Sequence, residues 1–147
     1  MNTMTTIRRT ISRIHAVMLM LASLSALAIA SAGYVGGVGV YHFLRDNPVG
    51  YGGLYQAYLL MVIIALIVWL GATQADALRW HLIGLLAHLP PLTILILLWS
   101  TFAALGGVAT AVVSLTFHTL WIVVEAIAAR SMIKAPAMAA GKRHAAQ

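Results

Sequence analysis

The chain has 147 residues, of which 62% are hydrophobic and only 8% are charged. Soluble domains carry roughly 25% charged residues, and a folded chain with so few charges cannot cover its surface with polar groups. This composition excludes a soluble enzyme, a disordered chain and a DNA-binding domain, and it predicts an integral membrane protein. The chain also contains no Cys, which excludes disulfides, thiolate metal ligands and iron–sulfur clusters.

Four apolar segments are long enough to cross a hydrocarbon core, which takes about 20 helical residues. None of them alternates polar and apolar residues as the strands of a membrane barrel do. The sequence therefore predicts an all-α, polytopic membrane protein whose four transmembrane helices form a bundle over residues 16–129. The predicted helices cover residues 16–44, 54–72, 80–105 and 108–129, between a basic N-terminus at 1–15 and a basic tail at 130–147.

The predicted connections between these helices are short. Residues 47–50 (Asn-Pro-Val-Gly) signal a turn after the first helix, and Thr73 or Asp76 is placed to cap the third helix. Only Gly106, Gly107 and their neighbours separate the third helix from the fourth. So short a connection predicts that these two helices form a tight antiparallel hairpin.

The Lys and Arg residues decide the predicted orientation, because they are enriched on the cytoplasmic side of a membrane. Eight of the nine fall on one side of a four-helix topology, and Arg45 alone falls on the other. Both termini are therefore predicted to be cytoplasmic, in a bacterial inner membrane. Basic residues gathered at the chain ends form no stripe on a folded face, so no nucleic-acid partner is expected. The eight residues are Arg8, Arg9, Arg13, Arg79, Arg130, Lys134, Lys142 and Arg143.

The first helix allows two further interpretations. Residues 1–32 have the layout of a secretory signal, with arginines, an apolar run and Ala-Ser-Ala at 30–32, so that cleavage would leave three helices. The apolar run continues beyond this motif, which favours an uncleaved helix. Gly33 and Gly37 have the four-residue spacing that lets two helix backbones approach closely in lipid. We favour packing within the bundle over docking of a partner helix or a second copy.

The fourth helix carries the most informative polar pattern. Thr110, Ser114, His118 and Glu125 follow one another at steps of four, four and seven residues, which places them on one helical face. Polar groups facing lipid are costly, so this face is predicted to line the bundle interior, a partner chain or a water-filled path.

Glu125 is the only acidic residue inside an apolar segment of the sequence. An ion pair with Arg79, or with His81 or His15 at the same membrane boundary, would keep the carboxylate ionised. We favour such a structural pair. A proton-handling carboxylate in a transport path and a contact with a partner chain are the alternatives.

Two prolines interrupt the third helix. Pro90 and Pro91 cannot donate to the carbonyls of Leu86 and Ala87, and these must be satisfied in other ways inside lipid. The prediction is a kinked spanning helix. The alternative is an interfacial segment over residues 76–89, followed by a short spanning helix.

His88 and His118 lie at similar depths, which raises the possibility of haem b. Helices joined by a tight turn pack about 8–10 Å apart, too close to hold a porphyrin between them. A metal site has little support either, because Glu125 is the only nearby acid. We therefore expect no cofactor, and we interpret the histidines as hydrogen-bonded to kinked backbone or to Ser and Thr side chains. Haem b stays as an alternative.

Three functions are compatible with this sequence, and we favour the first. The first is an accessory, assembly or scaffold subunit that acts by helix packing, with the lipid bilayer and another membrane protein or a second copy as partners. No nucleophile–base–orienter set is present, so no enzyme activity is expected. The second is a small proton-coupled transporter or channel subunit that uses the polar face of the fourth helix. The third is a haem-b electron-transfer protein.

Overall fold

The computed structural model describes residues 3–74, 77–105 and 107–144, with the side chains of 6–74, 78–105 and 107–130. Within these ranges the chain is helical and has no strand. Capping by Asp76, the turn residue Gly106 and the side chains of Lys134, Lys142 and Arg143 lie outside the described residues. In chain order the elements are α1 Thr3–Gly36, a 3-10 helix His42–Asp46, α2 Pro48–Gly71, α3 Ala77–Leu97, α4 Trp99–Ala104 and α5 Val108–His144.

The described helices confirm the all-α class. Four of them are long and apolar enough to cross a membrane, which supports an integral membrane protein. Their apolar side chains lie largely on the outside, as Leu60, Ile63 and Leu70 of α2 do. The four spans cover Thr6–Gly36, Pro48–Gly71, Leu78–Leu97 and Val108–Arg130.

Helix α1 ends at Gly36, well before the predicted end at residue 44. Gly37 and Gly39 adopt φ values of +64° and +73°, a left-handed conformation that glycine reaches without steric cost. The Gly37 N–H donates to the carbonyl of Gly33 at 3.0 Å, as is usual where a glycine follows the last turn of a helix. The prediction followed apolar composition and therefore extended this helix beyond the residue at which the backbone conformation ends it.

Helix α2 begins at Pro48 rather than at residue 54. Proline suits the first position of a helix because its fixed φ is helical and its missing N–H has no partner there. The side chain of Asn47 caps this turn, since its Oδ1 accepts a hydrogen bond from the Gly50 N–H at 2.9 Å. The residues predicted as a turn therefore form the start of the helix.

The predicted third helix, 80–105, is divided in the structure. Helix α3 runs from Ala77 to Leu97 with Pro90 and Pro91 inside it, in agreement with one prolonged helix rather than two segments. Leu98 breaks the regular geometry, and the short α4 follows before α5. Helix α5 continues to His144, beyond the predicted end at residue 129.

The chain divides into two compact units, Arg13–Leu70 and the remainder. In the Arg13–Leu70 unit, Tyr34 stacks on Tyr51 with ring centroids 4.1 Å apart, and the Tyr51 hydroxyl lies 3.1 Å from Ser31 Oγ. Gly33 lies against the backbone of Tyr41, where an added Cβ would clash with the carbonyl oxygen. The Gly33 contact is thus made with the chain that follows α1. Gly37 serves as the residue that ends this helix.

Candidate functional site

Helices α3 and α5 pack together along a line of buried residues that we call the seam. On each helix these residues recur at steps of three, four or seven, the heptad spacing with which two helices keep one face in contact, and Ala87 and Ala129 are buried beside them. The seam contains ionisable residues in a segment long and apolar enough to span a membrane. Its buried members are His81, Gly84, His88 and Leu95 on α3, and Ala111, His118, Trp121, Glu125 and Ala128 on α5.

The ionisable residues of the seam form two hydrogen-bonded pairs. His81 Nδ1 lies 2.5 Å from Glu125 Oε2, and His88 Nδ1 lies 2.7 Å from His118 Nδ1. From the first pair to the second the position advances by seven residues along α3, from His81 to His88, and goes back by seven residues along α5, from Glu125 to His118. The two helices therefore run antiparallel. The pairs are one heptad apart, which is about 10.5 Å along the helix axis.

The His81–Glu125 pair is completely enclosed, with both side chains at most 1% exposed. The Nδ1–H of His81 donates to the carboxylate, which orients the ring and sets which nitrogen carries the proton. The other nitrogen, Nε2, is buried and has no hydrogen-bond partner among the described residues. A neutral His81 therefore has a basic nitrogen at Nε2. A proton taken up there would give an imidazolium cation, which the negative charge of Glu125 would stabilise.

The His88–His118 pair has a different chemistry, because both partners are imidazoles. One ring donates its Nδ1–H and the other accepts with its Nδ1 lone pair, so the contact holds a single proton between two nitrogens. The ring of Phe117 packs edge-on against both, with centroids 5.8 Å from His88 and 5.6 Å from His118. The pair can thus share a proton in a site that Phe117 helps to close.

This pairing differs from the predicted hydrogen bonds of His88 and His118 to backbone, Ser or Thr. It also bears on the haem b alternative. Metal–nitrogen bonds of about 2.0–2.1 Å would place two ligating nitrogens on opposite sides of an ion about 4 Å apart. The observed 2.7 Å is a hydrogen-bond distance between rings in direct contact. Haem b ligated by these two residues would require the rings to separate, and it stays an untested alternative to the expectation of no cofactor.

Comparison with protein-family models, with curated proteins and with solved structures finds no match to this chain. Its function is therefore inferred from the seam. Among the described residues, no group of three or more His, Asp or Glu side chains is arranged to hold a metal ion. The chemistry available to the seam is that of two hydrogen-bonded, ionisable pairs.

The predicted polar face of the fourth helix is only partly on the seam. His118 and Glu125 are buried there and Ser114 is half-buried, whereas Thr110 is exposed. Each residue advances a helix by about 100°. A step of four residues therefore overshoots one full turn by about 40°, whereas a step of seven residues falls short of two full turns by only about 20°. Two steps of four carry Thr110 off the face of His118, and Ala111 takes the seam position instead.

His81, one of the three candidate partners of Glu125, is hydrogen-bonded to it in the structure. Arg79 lies two residues before His81, is exposed, and stands with Arg130 at the end of the seam that we call the basic end. The predicted ion pair of Glu125 with Arg79 stays a prediction. A stronger signal was present in the sequence, because the seven-residue step from His81 to His88 matches the step from His118 to Glu125.

Proposed function

We propose that this chain is a proton-handling subunit of a membrane transport complex, in which the two ionisable pairs of the seam bind and release the proton. One observation carries the proposal. Four ionisable side chains, each at most 9% exposed, form two hydrogen-bonded pairs one heptad apart in helices of spanning length. Histidine and carboxylate chains of this kind are the groups that move protons inside membranes.

The energetics of buried ionisable groups favour a role for the seam beyond packing. A buried ion pair contributes little net stability, because desolvation of both groups opposes their attraction, and apolar residues of similar size often pack as well. Histidine is the side chain whose ordinary titration falls between about pH 5 and pH 8. A seam with three histidines and one carboxylate supplies side chains of the kind that bind and release protons inside membranes.

The topology that we propose follows the basic residues. Both termini lie in the cytoplasm of a bacterial cell, α3 and α5 form a hairpin, and the basic end of the seam faces inward. Four helices leave little room for a pore, so a second copy or another membrane protein completes the transport path.

A second candidate is an accessory, assembly or scaffold subunit in which no proton moves. The heptad spacing of the seam favours it, because buried polar residues at heptad positions specify the register and orientation of packed helices. In that role His81 and Glu125 lock α3 to α5 and keep one protonation state.

Infrared difference spectroscopy of the protein in lipid bilayers separates these two functions. The sequence has only three acidic residues, so the D46N/D76N variant leaves Glu125 as the only side-chain carboxyl group. We expect reversible changes in the imidazole and carboxylate bands between about pH 5 and pH 8. The Glu125→Gln substitution in this background should remove the carboxylate bands and reduce the number of protons taken up.

The scaffold function predicts the opposite pattern. Its seam bands would stay constant over this pH range, and Glu125→Gln, which keeps an oxygen that can accept a hydrogen bond from His81, would leave assembly with the partner intact. Constant bands in a protein that Glu125→Gln leaves folded would overturn the proton-handling proposal. The Asp46→Asn variant alone is the control, since Asp46 lies in the 3-10 helix outside the spans and its loss should leave the seam bands unchanged.

A further inference from the structure

The polar part of the seam stops after two pairs. One heptad beyond His88 on α3 the seam residue is Leu95, and one heptad before His118 on α5 it is Ala111. Both are buried, with exposed fractions of 7% and 1%. The register of the two hydrogen-bonded pairs therefore places an apolar layer at the next level.

This apolar layer is the last complete level of the seam. Helix α3 ends at Leu97, two residues after Leu95, and α5 begins at Val108, three residues before Ala111. The sequence between His88 and His118 contains no Asp, Glu, Lys, Arg or His. A proton that reaches the His88–His118 pair thus finds no ionisable group of this seam beyond it.

The hydroxyl groups at this level do not extend the polar line. Thr93 and Thr116 each donate to a carbonyl of their own helix at 2.9 Å, Thr93 to Leu89 and Thr116 to Val112, and both are exposed. Ser114, half-buried one turn from His118, is the last polar side chain near the seam face. Beyond it, a charge would have to enter an apolar layer at high cost in free energy.

We propose that Leu95 and Ala111 form the barrier of the proton path, so that both pairs exchange protons with the basic end and the chain alone does not conduct protons through the membrane. This inference rests on the proposed proton-handling function. It assigns to this chain one half of a path, open toward Arg79 and Arg130, and it requires the partner to receive the proton at the level of His88 and His118.

The test is proton flux into liposomes that contain the purified chain and a trapped pH-sensitive dye, driven by a potassium diffusion potential. The wild-type chain should conduct no faster than protein-free liposomes. Leu95→His places a third ionisable level one heptad from His88 at similar side-chain volume, and it should raise the flux at least about tenfold because the apolar layer is interrupted. Ala111→Ser, which adds only a hydroxyl, should raise the flux less.

Leu97→His is the matched control. It makes the same substitution two residues away, at a position that is 72% exposed and off the seam, so it should leave the flux at the wild-type level. Helical content and a single elution peak show that each variant is folded before its flux is compared.

The outcomes separate the barrier from the proposed function. Flux that appears in Leu95→His and is lost again in the L95H/H88L and L95H/E125Q variants supports both the barrier and the proton-handling function. Flux in the wild-type chain, or none in folded Leu95→His and Ala111→Ser, overturns the barrier and leaves proton binding by the pairs to the infrared test. If the flux in Leu95→His persists in the variants that lack His88 or Glu125, the two pairs do not carry the proton, and the proton-handling function is overturned.

Discussion

Each ionisable side chain of the seam has another ionisable side chain as a hydrogen-bond partner, and this mutual dependence governs its chemistry. Glu125 decides that His81 presents Nε2, while His88 and His118 divide one proton between two Nδ1 atoms. Removing a partner therefore changes both the protonation and the solvation of the group that remains. A buried polar group that loses its partner is more costly than a pair replaced as a whole.

The stability of the His88–His118 pair is testable by a double-mutant cycle. We expect His118→Leu to lower the free energy of unfolding by about 1–3 kcal/mol, because Nδ1 of His88 loses its hydrogen bond to His118 inside an apolar segment. The double variant H88L/H118L should lose less than the sum of the two single variants. Reversible unfolding in detergent measures this, and additive losses would show that the two rings do not depend on each other.

At the scale of the element, two glycines at the end of α1 have different structural requirements. Gly33 packs against the backbone of Tyr41, where an added Cβ would clash with the carbonyl oxygen and lie 2.6 Å from the carbonyl carbon. Gly36, three residues later in the same helix, would have its nearest new contact at 3.5 Å, with Val38. The same methyl group therefore clashes at one position and fits at the other.

This difference predicts opposite outcomes for two matched substitutions. Gly33→Ala should destabilise the protein, because backbone atoms of Tyr41 must move to admit the methyl group, whereas Gly36→Ala should be tolerated. Thermal unfolding in detergent compares them, with an expected loss of about 1–3 kcal/mol for Gly33→Ala, the range of an overpacked core. Equal melting temperatures would show that the segment after α1 does not pack on Gly33 in solution.

Part of the seam was predictable at this scale and part was not. The burial of Glu125 and His118 on one face of the fourth helix followed from the sequence, because a polar side chain in an apolar helix avoids lipid. For Glu125 the sequence left three candidate partners, His81 among them, and it did not predict the pairing of His88 with His118, since pairing depends on the register between α3 and α5. Steps of four rather than seven also placed Thr110 on the face that Ala111 occupies.

At the scale of the whole molecule, the absence of Cys makes the proposed topology directly measurable. Single cysteines can be introduced for Asp46, between α1 and α2, and for Gln74, between α2 and α3. Both positions are exposed. An impermeant maleimide should label Asp46→Cys in intact cells and Gln74→Cys only after lysis, because the proposed topology directs the basic side toward the cytoplasm. The reverse pattern would invert the topology and the direction in which the seam opens.

Mass spectrometry of the mature protein tests whether residues 1–32 are a cleaved signal. Helix α1 is continuous through Ala32 to Gly36, so cleavage there would remove most of this helix. A mature chain that retains its N-terminal residues keeps four helices of spanning length, and a shortened chain keeps three.

The sequence by itself determined the class of this protein and the number of its apolar helices. Hydrophobicity over about 20 residues is a local property, and a lipid environment leaves a helix as the way to satisfy the backbone of such a segment. Only the tertiary structure decided where α1 stops, that Asn47 caps α2, and that His81 pairs with Glu125 and His88 with His118. These features depend on backbone conformation at single residues and on the contact of two whole helix faces, which no single segment specifies.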